Sequence, residues 1–446
     1  MMHVIWQCTD PGFRIQVNAL PDGKSLNLCV RFDGGAHERF GSGVGKEVAA
    51  SGSPRSFGEI EDPQPAHRVA YPLSEVLLLT VCATIADCDS YEEIGAWGEK
   101  HIEFLRQFLP YYHGVPGSRW LTLLMNRINP ALFSACFTDW VRSCWPDQAE
   151  LVAIDGKTSR RSHDRGAGQP PLHLVSAFAT TSKLVLGQEA VADKSSEVTA
   201  IPVLLKRLAE SGGLQGSVVT IDAIACNGTI AKAVRDAGAD YLLAVKANQP
   251  TLRGEIETYF KDAPASSLER TGTDVDKGHG RIEQRTVTVG RETEWLTGKR
   301  RFPGELRLPD VAAIIRVESK AELKDRCRSE TRYYITSATF SAEAAAEAVR
   351  GHWAIENSLH WTLDVVFGED LSRLRKGHGA RNMAVVRHFA LNHIRQAPEP
   401  PAQENAGLRR PRKNPAPPRP KSVRLRRKLS GWDTEYLKAI LNAKMR

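Results

Sequence analysis

Leu151-Val-Ala-Ile-Asp155 and Val218-Val-Thr-Ile-Asp222 are the two stretches on which the fold turns. Each is a short apolar run that ends in aspartate. Runs of this length, bounded by turn-forming sequence, read as buried strands. If the two strands are parallel neighbours, both carboxylates leave the sheet at the same end. Two such carboxylates repel, and one takes up a proton unless a cation stands between them. Hard oxygen donors favour Mg2+ or Mn2+. Taken singly, an aspartate just past a strand serves equally as a turn former or helix cap. The inference therefore rests on the repetition.

Working outward, residues 172–178, 184–187 and 241–245 read as further strands, and 196–209 and 229–237 as helices. Strands and helices alternating in this way predict a sheet with parallel pairs, covered by helices. Residues 250–340 mix polar loops with alternating strands such as 285–289, 311–317 and 333–336. Ser341 then caps a helix predicted to run to about Phe367, and a second helix covers roughly residues 380–394.

Glu356 lies on the Ser341 helix. Its neighbours one turn away are His352, Trp353, Leu359 and His360, a largely apolar face expected to pack on the sheet. A carboxylate there needs a partner, either a metal ion or an arginine such as Arg350 or Arg381. His352, Glu356 and His360 also fall at i, i+4 and i+8, a spacing zinc ligands can use, although the HExxH pattern is absent.

The rest of the chain sets the bounds. Its 446 residues predict two to four domains, and 41% hydrophobic content is enough for real cores. A formal charge of +8 suits a polyanionic partner. No apolar stretch is long enough to span a membrane, no secretory signal opens the chain, and the eight cysteines form no CxxC pair. These features point to a reducing cytosol and away from a zinc ribbon or disulfide scaffold. Residues 1–56 read as an irregular extension, 57–148 as a helical domain with a capping box at Ser90 and Glu93, and 149–396 as the α/β catalytic domain. Residues 397–446 read as a proline-rich basic linker and a short helix, with the run from Arg409 to Lys428 suited to phosphate contact.

Several segments together resemble the ISAs1 family of bacterial insertion-sequence transposases, which includes the H-repeat-associated proteins, within the IS4-like DDE transposases. They are AIDGKTSR (153–160), LHLVSAFAT (172–180), KSSEVTAIPVLL (194–205), VVTIDAIACN (218–227), DYLLAVKANQPTL (240–252), GHGRIEQR (278–285), HWAIENSLHWTLDVVFGED (352–370) and RNMAVVRHFALNHIR (381–395). YPLSEVLLLTVCATIADCDSYEEIGAWG (71–98) resembles the helical domain that precedes the catalytic core in that family. The resemblance covers roughly residues 57–395 and the closing helix. It implies a ribonuclease-H-like core, a mixed sheet flanked by helices, with Asp155 and Asp222 on neighbouring strands, Glu356 on the following helix and a strand-rich insertion at about 251–340. The sequence departs from the family pattern at Ser196 and Asn227, and His352 and Val349 stand where many IS4-like enzymes carry a Tyr-Arg-Glu-Lys signature around the glutamate.

The activity so implied is DNA strand cleavage and strand transfer at element ends, with two Mg2+ ions (Mn2+ as substitute) held by Asp155, Asp222 and Glu356. The partners are terminal inverted repeats and target DNA, bound by a homodimer that synapses two ends. Candidate DNA contacts are Lys157, Arg160 and Arg161 after the first aspartate, Lys246 and Asn248 past the strand ending at Val245, His279, Arg281 and Arg285 in the insertion, and His352. Trp295 would stack on an unpaired base or simply pack. The alternatives are a DNA-binding transposase derivative without catalysis and a zinc hydrolase using His352, Glu356 and His360.

Overall fold

The computed structural model describes residues 14–19, 26–31, 62–63, 69–144, 149–191, 196–210, 212–278, 281–297, 302, 305–322, 327–400 and 421–443. Two units share the chain: a helical unit of Met1–Trp145, Ser159–Leu172 and Trp361–Arg446, and a sheet unit of Pro146–Thr158 and His173–His360.

In the helical unit, β1 (Arg14–Ala19) and β2 (Leu26–Arg31) pair antiparallel within the stretch expected to be irregular. Apolar residues alternate at Ile15 and Val17 and at Leu26, Leu28 and Val30, the period of a strand. α1 (Leu73–Ile85) is buried on nearly every face, so Thr80 and Thr84 satisfy their hydroxyls on the carbonyls one turn back, each at 2.7 Å. α2 (Tyr91–Lys100) opens on the expected capping box: the Glu93 N–H donates to Ser90 Oγ, and the Ser90 N–H to Glu93 Oε2. α3 (Ile102–Leu105), α4 (Ser118–Met125) and α5 (Pro130–Cys144) follow.

The sheet unit begins with β3 (Leu151–Thr158), β4 (His173–Ala179) and β5 (Leu184–Ala190), then α6 (Glu197–Glu210), β6 (Val218–Ile221), α7 (Gly228–Asp236) and β7 (Asp240–Val245). Asn227, off the family pattern, caps α7 by accepting the Ile230 N–H at 2.9 Å. α8 (Pro250–Asp262), β8 (Leu268–Arg270), β9 (Asp274–Gly278), β10 (Arg281–Gly290), β11 (Ala313–Glu322) and β12 (Cys327–Thr336) lead to α9 (Ala342–His352), capped by Ser341 as expected. One ten-stranded mixed sheet runs β5-β4-β3-β6-β7-β12-β11-β10-β8, with β9 paired to β10. β3, β6 and β7 are parallel neighbours. The region expected as an insertion extends this same sheet, because β12 pairs antiparallel with β7 from Tyr333 opposite Val245 to Thr336 opposite Leu242. Ala345, Ala348 and Val349 of α9 pack with Leu242, Ala244 and Ile315 on one face. Leu242 lies opposite Thr220, and Thr220 opposite Ala153, so this is the face onto which Asp155 also points.

α10 (Trp361–Val365), α11 (Gly379–Gln396), α12 (Val423–Trp432) and α13 (Thr434–Leu441) return to the helical unit. α11, buried from Asn382 to Ile394, packs against α1 and α5. Of the basic run, residues 409–420 lie outside the described residues, and the rest divides. Arg424 and Lys428 are exposed, but Arg426 and Arg427 are buried. Arg426 donates to the carbonyls of Ile394 and Ala397 at the end of α11, and Arg427 to that of Thr84 at the end of α1. Both cap helix C-termini, where carbonyls lack intrahelical donors. Among the described residues no helix is long and apolar enough to cross a membrane.

Candidate active site

The parallel register of β3 and β6 pairs Leu151 with Val218 and Ile154 with Ile221. Asp155 and Asp222 are the next residues on each strand, so the two carboxylates stand side by side. β3 does not end at Asp155. It continues to Thr158 because β4 pairs with it as far as His173, so Asp155 is a strand residue and neither a turn former nor a cap. Asp222 directly follows β6 and precedes a single 3-10 turn, yet its side chain makes no capping bond. It is held instead by Lys246, just beyond neighbouring β7, whose Nζ lies 2.7 Å from Asp222 Oδ1.

The two carboxyls sit in opposite electrostatic settings. Burial, joined by repulsion from Glu197, Glu356 and Asp222, pushes the Asp155 carboxyl up to about 7 against the pull of the Gly156 N–H. Burial also opposes ionisation of Asp222, but the Lys246 ammonium outweighs it and holds that carboxyl below its ordinary range. His360 faces Asp155, with Nδ1 3.6 Å from Oδ2. His352 lies beside Asp222 and 3.4 Å from Thr220 Oγ1; burial lowers its basicity, while Asp222 works the other way.

Glu197 was not singled out from sequence. It opens α6 and accepts from His173 Nε2 at 2.7 Å, and His173 Nδ1 lies 2.7 Å from Thr158 Oγ1. The approach depends on Gly156, where an added Cβ would stand 2.0 Å from Glu197 Oε1. The available signal was an acid at a helix start in KSSE combined with a glycine directly after Asp155.

The expectation for Glu356 needs correction. α9 stops at His352, and residues Ile355–His360 form a π-helical turn. That wider turn buries Ile355 and Leu359 and leaves Glu356 exposed, so its burial cannot demand a partner. Its charge still acts on Asp155. The same turn breaks the i, i+4, i+8 alignment of His352, Glu356 and His360. Among the described residues no three His, Cys, Asp or Glu side chains stand close enough together to hold a metal ion in this arrangement.

The remaining candidates divide. Lys246 and Asn248 belong to the site, but Asn248 is turned inward, donating to the Ala223 carbonyl at 2.9 Å. Lys157 lies on β3, two residues beyond Asp155 and half-buried. Arg285 pairs with Glu283 at 2.6 Å. Trp295 packs: its ring stacks on Tyr259 at 6.1 Å and its Nε1 donates to the Glu292 carbonyl. Arg160 and Arg161 fall in the helical unit. Arg281 starts β10, with only its backbone described, and His279 lies outside the described residues.

With this geometry in place, comparison with known proteins is direct. Residues 146–393 match the transposase DDE domain, and 55–141 match the DDE_Tnp_1-associated region. The chain belongs to the DDE transposase family. It is 37% identical over 337 residues to the "H repeat-associated putative transposase YhhI" of Escherichia coli K12, covering 75% of this chain and 87% of that protein. With the "Putative transposase YncI" of Escherichia coli O157:H7 it shares 36% over 360 residues, covering 80% and 90%. A piggyBac transposase synaptic complex with hairpin DNA aligns at TM-score 0.35 and 10% identity, covering 85% of this chain and 73% of that one, too distant to carry detail across. Its function is that of an insertion-sequence transposase. Members of the DDE family act on DNA and in general use divalent metal ions.

Proposed function

We propose that this transposase is of the ISAs1 type and cuts and rejoins DNA at a ribonuclease-H-like centre formed by Asp155, Asp222 and Glu356. The observation that carries this reading is the parallel register that sets Asp155 beside Asp222. The strand order β5-β4-β3-β6-β7 supports the core assignment: the first three strands are antiparallel and the last two run parallel to β3.

The donor set fits a hard divalent cation. Burial first, and then the charges of Glu197, Glu356 and Asp222, push Asp155 toward protonation, a setting that a divalent cation between the carboxylates would relieve. Asp155, Asp222 and Glu356 would hold Mg2+ or Mn2+, which would supply activation of an attacking water or DNA 3′-hydroxyl and stabilisation of the leaving oxygen. Lys246 keeps Asp222 ionised and oriented. Asn248 and Gln249 anchor the segment after β7 to the carbonyls of Ala223 and Cys226. Glu197 and His173 brace β3 next to Asp155. The substrate is the element's terminal inverted repeats and a target duplex, synapsed by a homodimer.

The test is incubation of purified protein with those repeats and Mg2+ or Mn2+. The proposal expects metal-dependent strand cleavage that disappears in Asp155→Ala, Asp222→Ala and Glu356→Gln. Specific binding without cleavage under either ion would make the chain a DNA-binding derivative. Stoichiometric zinc lost in His360→Ala would point to hydrolysis at a zinc centre.

A further inference from the structure

Within the helical unit, two segments some 210 residues apart in sequence are locked together. The Arg160 N–H donates to Asp370 Oδ1 at 3.2 Å, and Arg160 Nε lies 3.3 Å from Asp370 Oδ2. From the other direction, Arg375 Nε donates to the Arg161 carbonyl at 3.1 Å. Each segment is also braced by its own backbone. In the first, Ser162 Oγ donates to the Ser159 carbonyl and accepts the Leu172 N–H, each at 2.7 Å, and Asp164 Oδ1 takes the N–H groups of Gly166 and Ala167. In the second, Gly377 adopts a positive φ of 52°, and the following His378 N–H donates to the Asn126 carbonyl at 3.1 Å. A Cβ at Gly377 would stand 2.7 Å from that carbonyl oxygen, so only glycine seats the segment on the helices so closely.

These contacts tie the segment of Arg160, Arg161 and Arg165 to the segment of Arg373, Arg375 and Lys376, a basic ledge on which all six side chains are exposed. Asp370 is paired with Arg160, and Asp164 is engaged in its own turn. Among the described residues, Arg161, Arg165, Arg373, Arg375 and Lys376 form no ion pair with an acid. Gathering like charges without counter-charges is unfavourable for folding alone, and it suits a polyanion held by its backbone. We propose that this ledge binds the sugar-phosphate backbone of double-stranded DNA in a sequence-independent manner. The proposal rests on the transposase reading for its choice of DNA, and it adds a surface made by the 372–376 segment, which no sequence motif marked.

The experiment measures binding of the full chain to a labelled duplex of arbitrary sequence by fluorescence anisotropy, in EDTA, across a KCl series. If three phosphate contacts are lost, the Arg373→Ala/Arg375→Ala/Lys376→Ala variant should flatten the slope of log K against log salt by about 2.7 and weaken binding at least about tenfold. Because Arg375 also braces the ledge, Arg161→Ala/Arg165→Ala serves as a second variant, whose side chains form no ion pair among the described residues; it should flatten the slope by about 1.8. Melting curves confirm that both variants fold. Slopes equal to wild type in both would overturn the proposal. Binding is read without metal and cleavage with it. Wild-type binding that depends on the ledge in a protein that never cleaves would therefore sink the catalytic reading and leave the ledge standing. Cleavage with unchanged salt slopes would do the reverse.

Discussion

Replacing Arg427 by alanine should unfold the helical unit at markedly lower temperature. The guanidinium has no solvent exposure, lies 2.7 Å from Asp89 Oδ1 and 3.2 Å from Asp87 Oδ1, and sits 4.1 Å over the Phe367 ring. It also donates twice to the Thr84 carbonyl, at 3.1 and 3.0 Å, and once to that of Val366. Breaking a buried ion pair by removing one partner costs about 3–5 kcal/mol. The two aspartates keep 33% and 38% of their side-chain surface in water and so can be resolvated. The estimate therefore belongs at the low end, about 3 kcal/mol, carried mostly by carbonyls at the end of α1 left without a donor. At about 2–4 °C per kcal/mol for a unit of this size, Tm should fall by about 6–12 °C. Differential scanning calorimetry measures this directly. Arg424→Ala and Lys428→Ala, on the exposed side of α12, are the controls and should shift stability by less than about 0.5 kcal/mol. If Arg427→Ala melted within about 2 °C of wild type yet lost DNA affinity, the assignment of Arg427 as a helix-end cap would be wrong and its sequence reading as a phosphate contact would return.

Gly156→Ala should disturb the candidate site from the opposite face of the sheet. Its Cβ would meet Glu197 Oε1 at 2.0 Å and His173 Nε2 at 2.7 Å, so the Glu197–His173 bond must break or β3 must shift. A cost of about 1–3 kcal/mol in a thermal melt is expected, together with a loss of strand cleavage; wild-type cleavage would show that this brace does not hold Asp155 in place. His393 should make stability pH-dependent. Burial lowers its pKa from the ordinary 6.5 to about 4, so the unfolded chain binds the proton first as pH falls. The histidine's contribution is complete above pH 6.5 and is lost down to pH 4, a change of about 3 kcal/mol. His393→Phe, which keeps a ring against Trp140, should lose that part of the pH dependence in urea titrations at pH 7 and pH 4.5, whereas an unchanged profile would refute the assignment.

The parts legible in sequence were those that local chemistry decides. The apolar runs before Asp155 and Asp222 are strands, and Ser90, Glu93 and Ser341 cap helices, because a strand's burial and a helix's first turn are written within a few residues. Glu356 marks the boundary of that method. Helical spacing placed it on a buried face, but the turn from Ile355 to His360 has π geometry and swings it outward. No local residue preference signals that widening. The extent of β3 was hidden for a related reason, since its last residues are strand only through pairing with β4. Glu197 reaches the neighbourhood of Asp155 from more than forty residues away, through a gap that Gly156 leaves open.

The part of the basic run that lies on α12 divides by a period its own sequence carries. In Val423-Arg-Leu-Arg-Arg-Lys428, Arg424 and Lys428 are four apart and share the exposed side of α12. Arg427 and Ser430, three apart, lie on the side that is buried. A charge run of that length on a helix must send part of its charge inward, and the only stable destinations there are acids and unsatisfied carbonyls. The ends of α1 and α11 supply those carbonyls. The same reasoning separates these arginines from Arg373, Arg375 and Lys376. Those three lie in a segment outside any helix, and among the described residues no acid pairs with them. On α12 the buried arginines hold helix ends together, while the loop residues Arg373, Arg375 and Lys376 are left exposed.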